Sequence, residues 1–579
     1  LTVTSLVGLA DYRPNTDMAT AEELAAIDEV LLTGTRSPRH LLLPVFHSLN
    51  DRVGWISRGA INEISQRMLV SPAVAYGVAT FYSMLSTEPR PATVGYLCDD
   101  VACRLAGAGE VAETLEASWP EKTAHDGAVW ERSPCLGLCD MAPAALADGQ
   151  AVGAAELAAA VVTRTRKNNG QRAVGEPPPA ATGALGEPRL LKRIVAGVPP
   201  TLDAYVAHGG FAGLRRAAEL GPDAIIAALD ASGLIGRGGA AFPAAIKWRA
   251  VATNPVRPHY LVVNADESET GTFKDRVLLE WDPFAVLEGA AIAALACGVE
   301  EGYLYVRGEY LHAAERLQNA ITELERRRWL GLASNFRLEI RRGAGAYICG
   351  EETALFNSLE GMRGEPRSKP PFPVQAGLFN KPTVINNVET LANVPLIITD
   401  GAAEFRRHGT EQSPGTKLFS VSGCVARPGV YEVPFGTALR QLIMDLAGAE
   451  NPDVIQCGGA AGTFLRGVDL DLPLTFEDLR NRGATIGSGA VMVWDSSAKP
   501  EELIRRGAEF FAHESCGQCV PCRVGTQRQL ELLDRLAAGA DVKSLLSEVA
   551  LVMKDASICG LGQTAASMVQ SAFKEGVLG

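Results

Sequence analysis

At 579 residues, with 47% apolar and 21% charged side chains, the chain is long enough for three or more domains, each with its own core. A formal charge of −13 argues against nucleic acid or an anionic membrane as the main partner, and no apolar run approaches the length of a transmembrane helix. Twelve cysteines in a chain this long do not read as a secreted disulfide framework, and no charged segment followed by an apolar one opens the chain, so a reduced, cytoplasmic protein is expected.

From Thr20 to about Ser86 the pattern is helical. Over 39–56, Leu42, Val45, Phe46, Leu49 and Val53 recur at three- and four-residue steps. Ser71-Pro72 supplies an N-cap and a first-turn proline for a helix running to about Leu85. From Pro91 the period changes: 92–97 predicts a strand delivering Cys98, 109–117 a helix, and 129–132 a second strand. The segment 144–147 precedes Asp148-Gly149, a two-residue hairpin signal. Cys98 and Cys103 (C-x4-C) and Cys135 and Cys139 (C-x3-C) form two thiol pairs on loops at strand ends. That arrangement suits a [2Fe–2S] core, with zinc a live alternative on spacing alone. Residues 167–188, including Gly175-Glu176-Pro177-Pro178-Pro179, read as an interdomain linker.

The largest domain follows. Gly236-Arg237-Gly238-Gly239-Ala240-Ala241 contains G-x-G-x-x-A, but 225–234 before it reads as a helix, so this is no ordinary dinucleotide turn. A glycine-rich loop that lets a flat cofactor reach the backbone is expected, with Lys247 able to neutralise a phosphate. The strand 259–263 carries Asn264-Ala265-Asp266-Glu267-Ser268-Glu269 at its carboxyl end, where open α/β sheets bind ligands. Its three carboxylates suit a solvated loop or a metal equally. Strands at 303–306 and 336–340 flank an amphipathic helix over 310–327, implying a parallel sheet with helices on its faces. Gly343-Ala344-Gly345-Ala346-Tyr347 to Glu351-Glu352 completes a strand, glycine-rich turn and helix suited to a phosphate or nucleotide; Cys349 there reads as core packing. Residues 417–494 read mostly as β, and Cys424 and Cys457 stand alone. From Glu501 the chain is helical and presents Cys516, Cys519 and Cys522 at C-x2-C-x2-C spacing, with Cys559 as candidate fourth ligand. This spacing favours a [4Fe–4S] cluster over zinc.

The stretch 98–139, ending in Cys135-Leu136-Gly137-Leu138-Cys139-Asp140 and preceded by Val78-Ala79-Thr80-Phe81-Tyr82, resembles the thioredoxin-like [2Fe–2S] subunit of the NADH-oxidising module of complex I and its soluble relatives. The segments 236–243, 264–276, 343–352, 369–372 and Asn386-Asn387-Val388-Glu389-Thr390 match, in order, the flavoprotein subunit of that module, from about 200 to 570. The resemblance implies a multidomain α/β fold. Its parts are a helical bundle (1–88), a thioredoxin-like [2Fe–2S] domain (89–165), a linker (166–200), a Rossmann-like FMN- and NADH-binding domain (201–415), a ubiquitin-like β-grasp domain (416–498) and a helical [4Fe–4S] domain (499–579). Carried over by position, Gly236, Gly238, Gly239, Lys247, Asn264, Asp266, Glu267, Tyr347, Gly350, Glu351, Asn386 and Asn387 would line the FMN site. Phe242, Glu269, Glu352, Lys369 and Phe372 would contact NAD(H). The chain departs from the family pattern at Ala241, usually glycine, and at Ala250, usually aromatic.

NADH gives up a hydride, whereas an iron–sulfur cluster takes one electron at a time, so flavin plus clusters makes a two-to-one converter. The resemblance therefore implies an NAD(H)-linked diaphorase subunit with no acid–base triad, preferring NAD(H) over NADP(H) through Glu269 and Glu352. The context Cys559-Gly560-Leu561-Gly562-Gln563 looks more like soluble formate dehydrogenases and NAD-reducing hydrogenases than complex I, and Ala142-Pro143-Ala144 looks nearer the first. The expected partner is thus a molybdenum or tungsten formate dehydrogenase subunit with further clusters, in a hetero-oligomer such as a dimer of heterodimers. A hydrogenase or complex I module is the alternative. The competing classes are a zinc-stabilised scaffold, which would lack flavin absorbance, and a quinone- or polysaccharide-linked flavin oxidoreductase.

Overall fold

The computed structural model describes residues 17–31, 38–163, 180–329 and 335–578. Four helices open it: Ala21–Val30, Leu42–Arg52, Arg58–Met68 and Pro72–Ala79. Thr20 and Glu23 cap the first reciprocally, and Ser71 caps the last, with Pro72 in its first turn. That last helix ends at Ala79 rather than near Leu85. The next amides are drawn elsewhere: Ser83 and Met84 donate N–H to the carbonyls of Gly345 and Ala344 (3.2 and 3.0 Å). Tyr82 donates Oη–H to Ser358 Oγ at 2.7 Å, so the bundle is seated on the largest domain.

The strands β1 (Thr93–Cys98), β2 (Ala128–Ser133), β3 (Ala144–Ala147) and β4 (Gln150–Gly153) form a sheet of order β2-β1-β3-β4, with β1 and β2 parallel and the remaining pairs antiparallel. Asp148 and Gly149 both hold positive φ (50° and 84°), as a tight hairpin between β3 and β4 requires. Within the stretch expected to be linker, Ala181–Ala184 forms β5, which pairs in parallel with a strand of the later β region.

The largest domain holds β6 (Tyr260–Ala265), β7 (Glu301–Val306), β8 (Arg337–Arg342) and β9 (Thr383–Asn387), all parallel, in the order β8-β7-β6-β9. The order reverses between β6 and β9. Pro283–Cys297, buried on all sides except at Leu295, lies among its helices. The amphipathic helix Leu311–Arg326 connects β7 to β8 and presents Leu317, Ile321 and Leu324 to the core. The β region consists of β10 (Thr416–Gly423), β11 (Gly429–Pro434), β12 (Val454–Cys457), β13 (Thr463–Arg466) and β14 (Ala490–Trp494), in the order β13-β12-β14-β10-β11-β5. Five helices close the chain: Pro500–Glu514, Val520–Ala537, Lys543–Ala556, Gly560–Thr564 and Ser567–Lys574. Among the described residues no helix is long and apolar enough to cross a membrane.

Candidate functional site

Three segments meet at the carboxyl ends of β6 and β9, the point where strand order reverses and parallel sheets open a crevice for ligands. Near the end of β6, Asn264 Nδ2 donates to the Gly350 carbonyl (2.9 Å) and Asn264 Oδ1 accepts from the Asp266 amide (3.1 Å), tying the start of the following loop to the glycine-rich turn after β8. Asp266 Oδ2 is buried without a hydrogen-bond partner, and burial pushes its carboxyl well above the ordinary range. A buried acceptor without a donor is costly, so the position calls for a hydroxyl- or N–H-bearing ligand. Glu267 is turned inward: its two oxygens accept from the Asp275 and Arg276 amides (2.8 and 2.9 Å) at the start of the helix Lys274–Trp281.

The second loop is 236–243. Gly236 N–H donates to the Phe242 carbonyl (2.8 Å) and Arg237 N–H to Thr390 Oγ1 (2.9 Å). A Cβ at Gly238 would come 2.9 Å from Asn387 Cβ, so only glycine lets the loop lie flat against the end of β9. Ala241 holds φ +50°, a left-handed conformation that costs a non-glycine residue about 1 kcal/mol. The third segment is the end of β9, where Asn386 Oδ1 accepts from Trp248 Nε1 (2.8 Å). Asn387 donates to Asp275 Oδ2 (2.6 Å), and its own Oδ1 caps the helix Val388–Asp400 through the Glu389 amide (3.0 Å).

The outer part of the crevice is charged and aromatic. Phe242 and Phe372 are 46% and 51% exposed. Lys247 lies 5.7 Å over the Phe242 ring and 3.6 Å from Glu352, which Lys369 also contacts at 2.7 Å. Burial works against ionisation of Glu352, yet Lys247 and Lys369 hold its carboxyl below the usual value. Glu351 caps the helix Glu352–Leu359 through the Thr353 and Ala354 amides and meets Lys369 at 2.9 Å. Tyr347 Oη donates to Glu269 Oε2 (2.5 Å), and the Ala461 amide donates to Glu269 Oε1 (3.0 Å); burial still pushes Glu269 up to about 7. The Tyr347 ring packs on Phe510 (5.1 Å between centroids), and its amide donates to Glu514 Oε2, so the crevice adjoins the C-terminal helices.

The eight expected thiols fall into two groups. Cys98 ends β1, Cys103 lies in the helix Val101–Leu105, and Cys135 and Cys139 sit after β2; none is more than 2% exposed. Cys135 Sγ and Cys139 Sγ are 3.5 Å apart. Hydrogen bonds with Cys139 and Cys98, together with nearby Arg307, hold Cys135 well below the ordinary thiol range. In the second group, Cys516 and Cys519 occupy the turn after Pro500–Glu514, Cys522 lies in the first turn of Val520–Ala537, and Cys559 caps Gly560–Thr564. Gly562 lies against Cys522 Cβ, which brings the Cys559 segment to the other three. Among the described residues no three His, Cys, Asp or Glu side chains close on a single metal ion.

Several residues that organise the site were not singled out from sequence. Arg307, directly after β7, donates to the carbonyls of Cys135 and Glu267 (both 2.6 Å) and pairs with Glu309 (2.7 Å), joining the first thiol group to the crevice. Asp100 Oδ2 accepts from the Cys135 amide (3.1 Å) and from Thr270 Oγ1 (2.9 Å). Arg276 pairs with Asp140 (2.6 Å), and Arg506 of the C-terminal helices donates to the Asp99 carbonyl. A charged residue at the end of an apolar strand, as at Arg307, was the available signal.

Comparison with known proteins agrees with this arrangement. The family described as the Nuo51 FMN-binding domain is matched by residues 229–396, the thioredoxin-like [2Fe-2S] ferredoxin by 28–162, and the NADH-ubiquinone oxidoreductase-F iron-sulfur binding region by 502–575. The chain is 44% identical to an F-type subunit of the NADH-quinone oxidoreductase of Rhizobium meliloti over 401 residues, covering 67% of this chain and 95% of that protein. It is 41% identical to the HndC subunit of the NADP-reducing hydrogenase of Solidesulfovibrio fructosivorans over 379 residues, 63% of this chain and 77% of that one. A chain in the crystal structure of an air-oxidized NAD+-reducing [NiFe]-hydrogenase superposes with a TM-score of 0.80 at 35% identity, covering 92% of each chain.

Proposed function

Because the chain belongs to the family of F-type subunits of NADH-quinone oxidoreductases, with a thioredoxin-like [2Fe–2S] domain fused ahead of it, we propose that it is the diaphorase subunit of an NAD-linked hydrogenase-type complex. Its class is that of an NADH-oxidising oxidoreductase subunit with FMN, a [2Fe–2S] and a [4Fe–4S] cluster, and with NADH as substrate. The observation that carries the hydrogenase reading is the match over 92% of both chains, fused halves included, to a chain of the NAD+-reducing [NiFe]-hydrogenase. The F-type relative reaches only 67% of this chain. These relatives favour the hydrogenase alternative over the formate dehydrogenase partner expected from Ala142-Pro143-Ala144.

The residues present fit the flavin. When bound, FMN supplies the conversion between a hydride and single electrons. Asp266 Oδ2 would accept from a ligand hydroxyl, the 236–243 loop would offer bare backbone, and Lys247 would meet a phosphate. Phe242 and Phe372 would cover the apolar faces of NAD(H), while Lys369 and Glu352 orient its polar parts. Glu269, held by Tyr347 and Ala461, would disfavour an added 2′-phosphate. On this reading β10–β14 is the family's ubiquitin-like insert. The partner would dock at the second thiol group, where Val520, Val524 and Ile558 are exposed beside Cys519, Cys522 and Cys559.

The complex should be purified through this chain and assayed for NAD reduction. Hydrogen as the effective donor is expected. Reduction driven by formate alone would replace the hydrogenase reading and leave the diaphorase intact, and a colourless protein without flavin would remove both.

A further inference from the structure

Beneath the crevice lies a cluster of buried charges that no step of hydride or electron transfer uses. Lys274, Asp275, Glu389 and Lys417 are each no more than 2% exposed. Lys417, on β10, meets Glu389 Oε2 at 2.6 Å, and Lys274 meets the same oxygen at 3.0 Å and Asp275 Oδ1 at 2.7 Å. Desolvating so many charges is expensive, and removing one member would leave the others buried without their partner.

The remaining contacts of Lys417 are to backbone carbonyls. Its Nζ donates to the carbonyl of Arg237, in the 236–243 loop, at 3.3 Å, to the carbonyl of Ser488, in the turn before β14, at 3.0 Å, and to that of its neighbour Leu418 at 3.1 Å. These two segments face one another: a Cβ at Gly239 would lie 3.8 Å from the Gly487 carbonyl carbon and the Ser488 amide. Ser488 Oγ is in turn 2.6 Å from Thr272 Oγ1, in the loop after β6. Through Glu389, whose amide donates to Asn387 Oδ1 and Asp275 Oδ1, the same cluster reaches the end of β9. Lys417 Nζ therefore holds backbone of the 236–243 loop and of the Ser488 turn directly, and reaches the end of β9 through Glu389.

We propose that Lys417 is a positioning residue for the flavin, holding the 236–243 loop and the Ser488 turn at one spacing, so that the β10–β14 unit sets how tightly FMN is bound. The proposal rests on the flavin crevice described above. Releasing the Arg237 and Ser488 carbonyls from Lys417 would let the glycine-rich loop sample conformations that do not bind.

The test is Lys417→Met in the full chain, read by FMN content after gel filtration, by the FMN dissociation constant from fluorescence of released flavin, by iron content, and by deuterium exchange of 236–243 and 485–489. Expected are both iron–sulfur centres intact, faster exchange in the two segments, and FMN affinity weaker by about tenfold or more, the scale of one lost charge-assisted hydrogen bond. FMN bound as in the wild type overturns the assignment. If Lys417→Met takes up no iron, Lys417→Arg decides: it keeps the charge opposite Glu389 but cannot set one nitrogen against both carbonyls, so it too should release FMN, and wild-type affinity in a folded Lys417→Arg overturns the proposal. A wild-type protein that held no FMN would instead defeat the crevice reading itself.

Discussion

The two thiol groups sit in opposite surroundings. Cys98, Cys103, Cys135 and Cys139 are sealed in the interior, and their loops are fastened to the flavin domain by Arg307, Thr270 and Arg276. Cys516, Cys519 and Cys559 are only partly buried, and exposed Val520, Val524 and Ile558 lie close to them in sequence. A sealed centre can exchange electrons only with what is packed against it, whereas a centre under an apolar surface can be reached by another subunit. On the proposed reading the first group would serve as an internal acceptor beside the crevice, and the second as the outlet.

The largest effect should come from removing one ligand of the outlet. Cys559→Ala should lose iron and one EPR signal of the reduced protein, keep the other signal, and abolish electron delivery to the partner while NADH–ferricyanide activity persists. Unchanged iron and spectra would place the fourth ligand elsewhere. Next, Arg307→Met should destabilise the protein by about 3 kcal/mol in urea unfolding, because it leaves Glu309 unpaired and frees the Cys135 and Glu267 carbonyls, a buried pair broken from one side. The signal of the outlet group should not change. A loss under about 0.5 kcal/mol would mean that the seal does not depend on Arg307.

The apolar rim gives a smaller and opposite result. Ile558→Asp should leave stability within about 0.5 kcal/mol, since the side chain is already 43% exposed, yet weaken association with the partner about tenfold by surface plasmon resonance. Equal binding would move the docking surface away from the second group. The smallest effect concerns the crevice between the two. Burial raises Glu269 to about 7, so it is neutral below that pH and charged above it. Discrimination against NADPH should therefore weaken as pH falls from 8 to 6, with the NADPH/NADH ratio of kcat/KM rising several-fold. Glu269→Gln should be high and flat across the same range. A ratio independent of pH in the wild type would exclude Glu269 as the discriminating group.

Much of this contrast could be read from sequence, and the rest could not for physical reasons. Thiol spacing is local, so Cys516, Cys519 and Cys522 announced a cluster, and the alternation of strands and helices over 259–359 announced a parallel sheet. The hairpin at Asp148-Gly149 and the cap at Ser71 were equally local. By contrast, Ala181–Ala184 has little strand propensity and becomes β5 only by pairing with β11. The helix after Ser71 stops early because Ser83 and Met84 bond to a turn some 262 residues away. Arg307, Asp100 and Lys417 are ordinary polar residues in sequence, and their roles come from partners on other domains. Cys559 could be nominated from sequence, but only the packing of Gly562 against Cys522 brings it into place.

The most direct test is an anaerobic NADH titration followed by EPR, with and without a soluble paramagnetic relaxation agent. The account predicts two iron–sulfur signals that both develop on NADH addition to the flavin-loaded protein. The agent should broaden the [4Fe–4S] signal strongly and leave the [2Fe–2S] signal as it was. Equal broadening of both signals, or reduction of neither by NADH, would contradict it.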